Sequence, residues 1–293
     1  MNQLNLSKFT KTLGAGGFGI VKTGSSYPEN EYAIKFLHSS EACGSAKKEF
    51  IIGKGIYDAF VTFRQCDPSV TQINIPEPIE FSDIKYNGYD CYVVMKRLFS
   101  AHEKGDYAIH LVFNDILPAS QINKLVMRHY GATATGDNSP RGYFYNMDKV
   151  REYLDQYPGK AMDIETISDV VYRMGVLNGI IIFGARYIPH DVEYLLTYEN
   201  GHYDVSVLDF GMATPINITE DNYDEIAKDI SQKQELDVYF HPCSINPIDE
   251  QLKQRYIEGI TVAYECFKDL ILPEFYQSLV KYYTDCEQIN VQF

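Results

Sequence analysis

The sequence predicts an α+β chain in two lobes: a five-stranded antiparallel sheet with one helix, then a reduced, mainly helical second lobe. Three observations carry this. Short apolar runs punctuated by Gly, Pro and Asn fill residues 1–96, which is strand-and-turn chemistry. Within them, residues 44–63 alone show helical spacing, with apolar positions at Ile52, Ile56, Phe60 and Phe63. After residue 163 the three-and-four spacing appears over 163–186 and in three later segments, and residues 97–293 are taken as the mainly helical lobe of one overall domain.

Taken in order, residues 9–38 read as three strands. Phe9–Leu13 runs into Gly14-Ala15-Gly16-Gly17-Phe18-Gly19; Ile20 and Val21 begin the second strand, and Tyr32–Leu37 forms the third. Glycines at 14, 16, 17 and 19 remove side chains where a hairpin must approach something closely. Two phosphate cradles use such a pattern. A dinucleotide fold requires a helix after the glycines, whereas here a strand follows, and then another carrying Lys35. The pattern favours a glycine hairpin covering nucleotide phosphates, with Val21, Ala33 and Lys35 at the matching distances.

In the helix over 44–63, Glu49 sits where an acid pairs with Lys35; alone it reads equally as a solvated residue beside Lys47 and Lys48. Pro76–Ser82 and Gly88–Met95 form a hairpin through the Asn87-Gly88 turn. Lys96, Arg97, Leu98 and Phe99 then form the connector to the second lobe. Residues 131–142 are a loop by composition, and His102, His110 and His129 lack metal-like spacing. A helix over 163–186, capped by Asp163, leads to Asp191. The apolar run Val205-Ser206-Val207-Leu208 delivers Asp209 to a strand end, where Phe210-Gly211 turns the chain. A carboxylate so placed suits Mg²⁺, which takes one or two protein carboxylates and borrows its other ligands from phosphate and water. Helices are expected over 220–229, 251–264 and 270–283.

Forty acidic against 26 basic residues leave a net charge of −14, which argues against nucleic acid as a partner. Six singly spread cysteines, with no Cys-x-x-Cys spacing, read as free thiols of a reducing compartment. With no signal-like N-terminus and no apolar run long enough for a membrane span, the expectation is a cytoplasmic protein, or one delivered into a host cytosol.

The glycine loop with Val21, Ala33-Ile34-Lys35, Glu49, the Met95 hinge, Asp191 and Asp209-Phe210-Gly211 together resemble the protein kinase superfamily, over roughly residues 9–230. The resemblance implies a two-lobed protein-kinase-like fold with ATP between the lobes. Gly14 to Gly19, Val21, Ala33, Met95, Lys96 and Leu98 would line the nucleotide. Lys35 would contact the α/β-phosphates while paired with Glu49, Asp209 would hold Mg²⁺ or Mn²⁺, and Asp191 would orient or deprotonate the acceptor hydroxyl.

The departures from that family cluster after His190. The family's arginine before the aspartate and lysine after it are missing, and Leu196 stands where its metal-binding asparagine belongs. If the loop is shortened, Glu193 falls nearest that place and becomes the candidate second metal ligand. The Ala-Pro-Glu that closes the family's activation segment is also absent. The resemblance is to a reduced, effector-like member, either constitutively active or switched by a partner or ligand. The leading expectation is a Ser/Thr protein kinase with a protein substrate. The alternatives are a small-molecule kinase of the aminoglycoside or choline type, a nucleotide-binding pseudokinase scaffold, and adenylyl transfer. Oligomeric state stays open.

Overall fold

A computed structural model describes residues 4–16, 19–98, 164–190, 192–199, 202–236 and 250–285. The expected loop at 131–142, the three histidines before it and the Asp163 cap lie outside the described residues.

The strand-forming runs pair as expected. β1 (Lys11–Gly16), β2 (Gly19–Thr23) and β3 (Tyr32–Leu37) form an antiparallel meander. Gly16 pairs with Gly19 where β1 and β2 meet. An ideal Cβ on Gly19 would stand 2.1 Å from the Phe36 carbonyl oxygen, which explains glycine at that position. The chain then enters α1 (Ser40–Cys66), whose N-cap Ser39 accepts a hydrogen bond from the Ala42 amide. After α1 come β4 (Ile73–Asn74), β5 (Pro78–Ser82) and β6 (Cys91–Lys96). Asn87 and Gly88 both take positive φ between bridged Tyr86 and Tyr89, as an Asn-Gly hairpin turn demands. The resulting sheet has the order β1-β2-β3-β6-β5.

Side-chain alternation divides this sheet's faces. Phe9, Ile34, Phe36, Tyr92 and Val94 form the core on one side. Leu37, Cys91 and Val93 pack on the other against Ala42 and Ala46 of α1. The helix is longer than the predicted 44–63 and belongs to two cores. Its 27 residues span about 40 Å. Ile52, Ile56, Ala59 and Phe63, in its later turns, join the main core of the second lobe. Alternation of Ala and polar residues in the first turns masked its start in the sequence.

The second lobe is built around α2 (Ile164–Gly179), which passes into a π-helical turn, Ile180–Gly184, where an uninterrupted helix to 186 was expected. Val176, Leu177, Ile181, Ile182 and Phe183 are fully buried there. Three short pairings follow: β7 (Tyr187–Ile188) with β10 (Thr214–Pro215), β8 (Glu193–Glu199) with β9 (His202–Leu208), and β4 in parallel with β9. Helices α3 (Tyr223–Leu236), α4 (Glu250–Phe267) and α5 (Pro273–Thr284) complete the lobe. The acidic-stretch helix starts three residues later than expected because Asn222 anchors the turn before it, accepting from the Thr219 amide.

The free-thiol reading is corrected. Cys43 is bonded to Cys91, and Cys66 to Cys266, with Cα separations of 5.9 and 5.8 Å. The partners are 48 and 200 residues apart in sequence, so only the tertiary fold brings them together and no local spacing could reveal them. No helix among the described residues is long and apolar enough to cross a membrane.

Candidate active site

Lys35 lies mid-strand in β3, paired with Val21 on one side and Val93 on the other. Because directly opposed residues share a face, Val21, Ala33, Lys35 and Met95 all lie on the face that carries α1. Gly19, opposite Leu37, joins them there. Lys96 falls on the other face, with its ammonium 4.5 Å from the centre of the Tyr32 ring, so its backbone alone remains for the connector role. Leu98 follows outside any strand or helix, after the Arg97 amide donates to the Glu31 carbonyl. Gly14, Ala15 and Gly16 are placed in β1; Gly17 and Phe18 lie outside the described residues.

The Lys35 ammonium donates to Glu49 Oε2 at 2.7 Å, and the two side chains are 25% and 20% exposed. The helix delivers Glu49 from its third turn onto the lysine face of the sheet. Burial pushes the Glu49 carboxyl above the usual carboxylate range. The Lys35 charge and hydrogen bond pull it back, and the Asp209 carboxylate pushes it up again.

Asp209 follows directly on β9 and takes a left-handed backbone with φ of 63°, a conformation Asp tolerates better than most side chains. Phe210 turns inward and is buried, while Gly211 passes beneath the ion pair. From the Cβ position of Gly211, Asp209 Oδ1 lies at 3.8 Å and Glu49 Oε2 at 3.9 Å. Two carboxylates and one ammonium thus converge from β3, α1 and the end of β9.

The sequence did not point to Gly53. It lies one helical turn after Glu49, and a Cβ there would stand 3.3 Å from the Phe210 ring and 3.5 Å from Pro78. The Phe210 ring therefore packs directly against the α1 backbone and couples Asp209 to the helix that carries Glu49. A glycine at i+4 from the paired acid is the signal that reveals it.

The connection from β7 to β8 is short. Asp191 lies outside the described residues, Val192 is buried, and β8 already begins at Glu193. Register pairs Glu193 with Leu208, one residue before Asp209. Among the described residues, no group of three His, Cys, Asp or Glu side chains is arranged to hold a metal by itself. Asp209 fits the mode expected of a hard cation that takes few protein ligands.

The sheet order, the single crossing helix, the lysine–glutamate pair and the Asp-Phe-Gly turn beneath it decide the architecture. The fold is kinase-like, with two lobes. Solved structures similar to the chain include the kinase domain of Mycobacterium tuberculosis PknI, as a double mutant. It shows 13% identity over 97% of this chain and 96% of that one, with a TM-score of 0.33. A thermostable aminoglycoside phosphotransferase APH(4)-Ia in ternary complex with AMP-PNP and hygromycin B gives 13% identity, 97% and 93% coverage, and a TM-score of 0.31. The streptomycin-ATP-APH(2")-IIa ternary complex gives 14%, 98% and 97%, and 0.28. These matches span the chain without superposing closely. No family model and no curated protein matches the sequence.

Proposed function

We propose that the chain is an ATP- and divalent-metal-dependent phosphotransferase acting on a hydroxyl acceptor. The observation that carries the reading is the Lys35–Glu49 ion pair standing over Asp209. Lys35, held by Glu49, is placed to meet nucleotide phosphates, and the glycine hairpin of β1 and β2 covers them. Asp209 would hold Mg²⁺ or Mn²⁺, which would supply charge neutralisation on the phosphates when bound. Glu193 would be the second metal ligand, supported by a β7–β8 connection too short for an asparagine-bearing loop and by a register ending beside Asp209. Asp191, just before that strand, orients or deprotonates the acceptor.

The acceptor we favour is a protein Ser or Thr hydroxyl, with a partner or ligand rather than loop phosphorylation as the switch. One observation favours a small-molecule acceptor instead. The segment from Gly211 to α3 is short and tied down: Thr214 and Pro215 pair with β7, and Ile218 is buried. That leaves little chain for a peptide platform. ADP release measured with Ser/Thr peptides and with aminoglycosides, at equal protein and Mg²⁺, separates the two. Peptide-stimulated release supports the protein kinase reading; release stimulated only by aminoglycosides replaces it. The cytosolic expectation rested in part on free thiols, and the two disulfides favour an oxidising compartment instead.

A further inference from the structure

The two disulfides share one helix. Cys43 and Cys66 both belong to α1, and Glu49 lies between them, six residues after the first (49 − 43) and 17 before the second (66 − 49). Cys43 ties the early turns of α1 to β6, the strand whose Val93 is paired with Lys35. Cys66 ties its last residue to Cys266 at the end of α4 in the second lobe.

These anchors act on halves of unequal strength. The later turns are held independently by Ile52, Ile56, Ala59 and Phe63 in the main core. The turns before Glu49 bury only Ala42 and Ala46, with Cys43 partly buried, and their other residues face solvent. Apolar stabilisation scales with buried area, so two alanines hold that half weakly. Beside the partly buried Phe50 ring near Phe81, the Cys43–Cys91 bridge is therefore the covalent restraint on the segment that places Glu49.

We propose that α1 is a redox-set element: the Cys43–Cys91 bridge, backed by Cys66–Cys266, holds Glu49 on Lys35 in the oxidised protein, and reduction by a dithiol releases it. The chemistry balances simply. A dithiol thiolate attacks the sulfur of the partly exposed residue Cys43 and Cys91 leaves as thiolate. The second thiol of the reagent then displaces Cys43 from the mixed disulfide. The protein gains two electrons and two protons as two thiols, and the reagent leaves as its disulfide. The reduced helix keeps its later turns in place while its early turns open more often, a local rather than global loosening. Nucleotide affinity that depends on the Lys35–Glu49 pair falls with it; this consequence rests on the phosphotransferase reading.

The test uses the full chain purified without reductant. Native alkylation and non-reducing peptide mapping are expected to find Cys43 joined to Cys91. Hydrogen exchange over residues 44–52 is then followed in the oxidised protein, during a dithiol titration, and in the double variant Cys43→Ser/Cys91→Ser. The expected result is exchange accelerated about tenfold or more in that segment on reduction and in the variant, with residues 56–63 little changed. Free, alkylatable Cys43 and Cys91 in the oxidised protein overturn the proposal, as does unchanged exchange on full reduction. If the variant does not fold, the titration of the unmodified chain decides. ATP-dependent thermal shift is read in parallel. A dithiol response in exchange with no ATP shift in either state leaves the helix device standing and refutes the nucleotide-binding reading instead.

Discussion

Replacing Glu49 with Gln separates a functional ion pair from a structural one. The pair is short, 2.7 Å, and both partners are less than a third exposed. At an effective dielectric of about 20, opposite charges about 4 Å apart attract by roughly 4 kcal/mol. Against this, the Glu49 carboxyl is held above its ordinary range, with burial as the largest cause. The ionised form is thus less favourable in the fold than in water: desolvation, together with repulsion from Asp209, outweighs the attraction of Lys35. Glutamine keeps the shape and a hydrogen-bonding oxygen while removing the charge. The net change in stability at neutral pH is expected within about 1 kcal/mol, a melting shift of roughly 2–4 °C. Turnover is expected to fall about a hundredfold, because a lysine no longer fixed by its carboxylate misplaces its ammonium by an ångström or so. Melting by scanning fluorimetry and initial rates of ADP release on the same preparation give both numbers. A drop of more than about 3 kcal/mol with turnover intact would show that the pair braces the fold and does no work on a nucleotide.

Three further outcomes follow from the same geometry. Because the folded-state pKa of Glu49 is raised, its contribution to stability is largest at low pH and is lost as pH rises through that pKa; ion pairing with Lys35 runs the opposite way. The acidic limb of the pH–rate profile is therefore expected above the usual carboxylate range, and it should flatten in Glu49→Gln; an unchanged limb in the variant assigns it elsewhere. Gly53→Leu is expected to cost about 1–3 kcal/mol and to lower turnover together with metal affinity, since the new side chain enters the space of the Phe210 ring; isothermal titration with Mn²⁺ and nucleotide checks it. Glu193→Ala is expected to lower Mg²⁺-dependent activity by at least tenfold with little change in melting, and unchanged metal dependence removes Glu193 from the ligand set.

Much of this site was legible because its signals are local. Glycines at fixed offsets, a lysine two residues after an alanine in a strand, and an aspartate ending an apolar run each declare their backbone setting. Asn87-Gly88 did the same for the hairpin. What escaped depends on distance in the chain. Cys66 and Cys266 meet only after 200 residues have folded, and Ile73 reaches Val205 as a parallel neighbour. The two-residue strands at Tyr187 and Thr214 are too short to carry a period. The start of α1 was lost because its early turns bury alanines rather than large apolar residues. Gly53 looked like a weak point in a helix; its role appears only once Phe210 is seen against it.

The most direct measurement is intact-mass analysis of the purified chain incubated with ATP and Mg²⁺ or Mn²⁺, beside Asp209→Ala, with and without a hydroxyl acceptor. The account predicts transfer of single phosphates, to the chain or to the acceptor, abolished in the Asp209→Ala protein. An added AMP in place of phosphate, or transfer undiminished when Asp209 is removed, would contradict it.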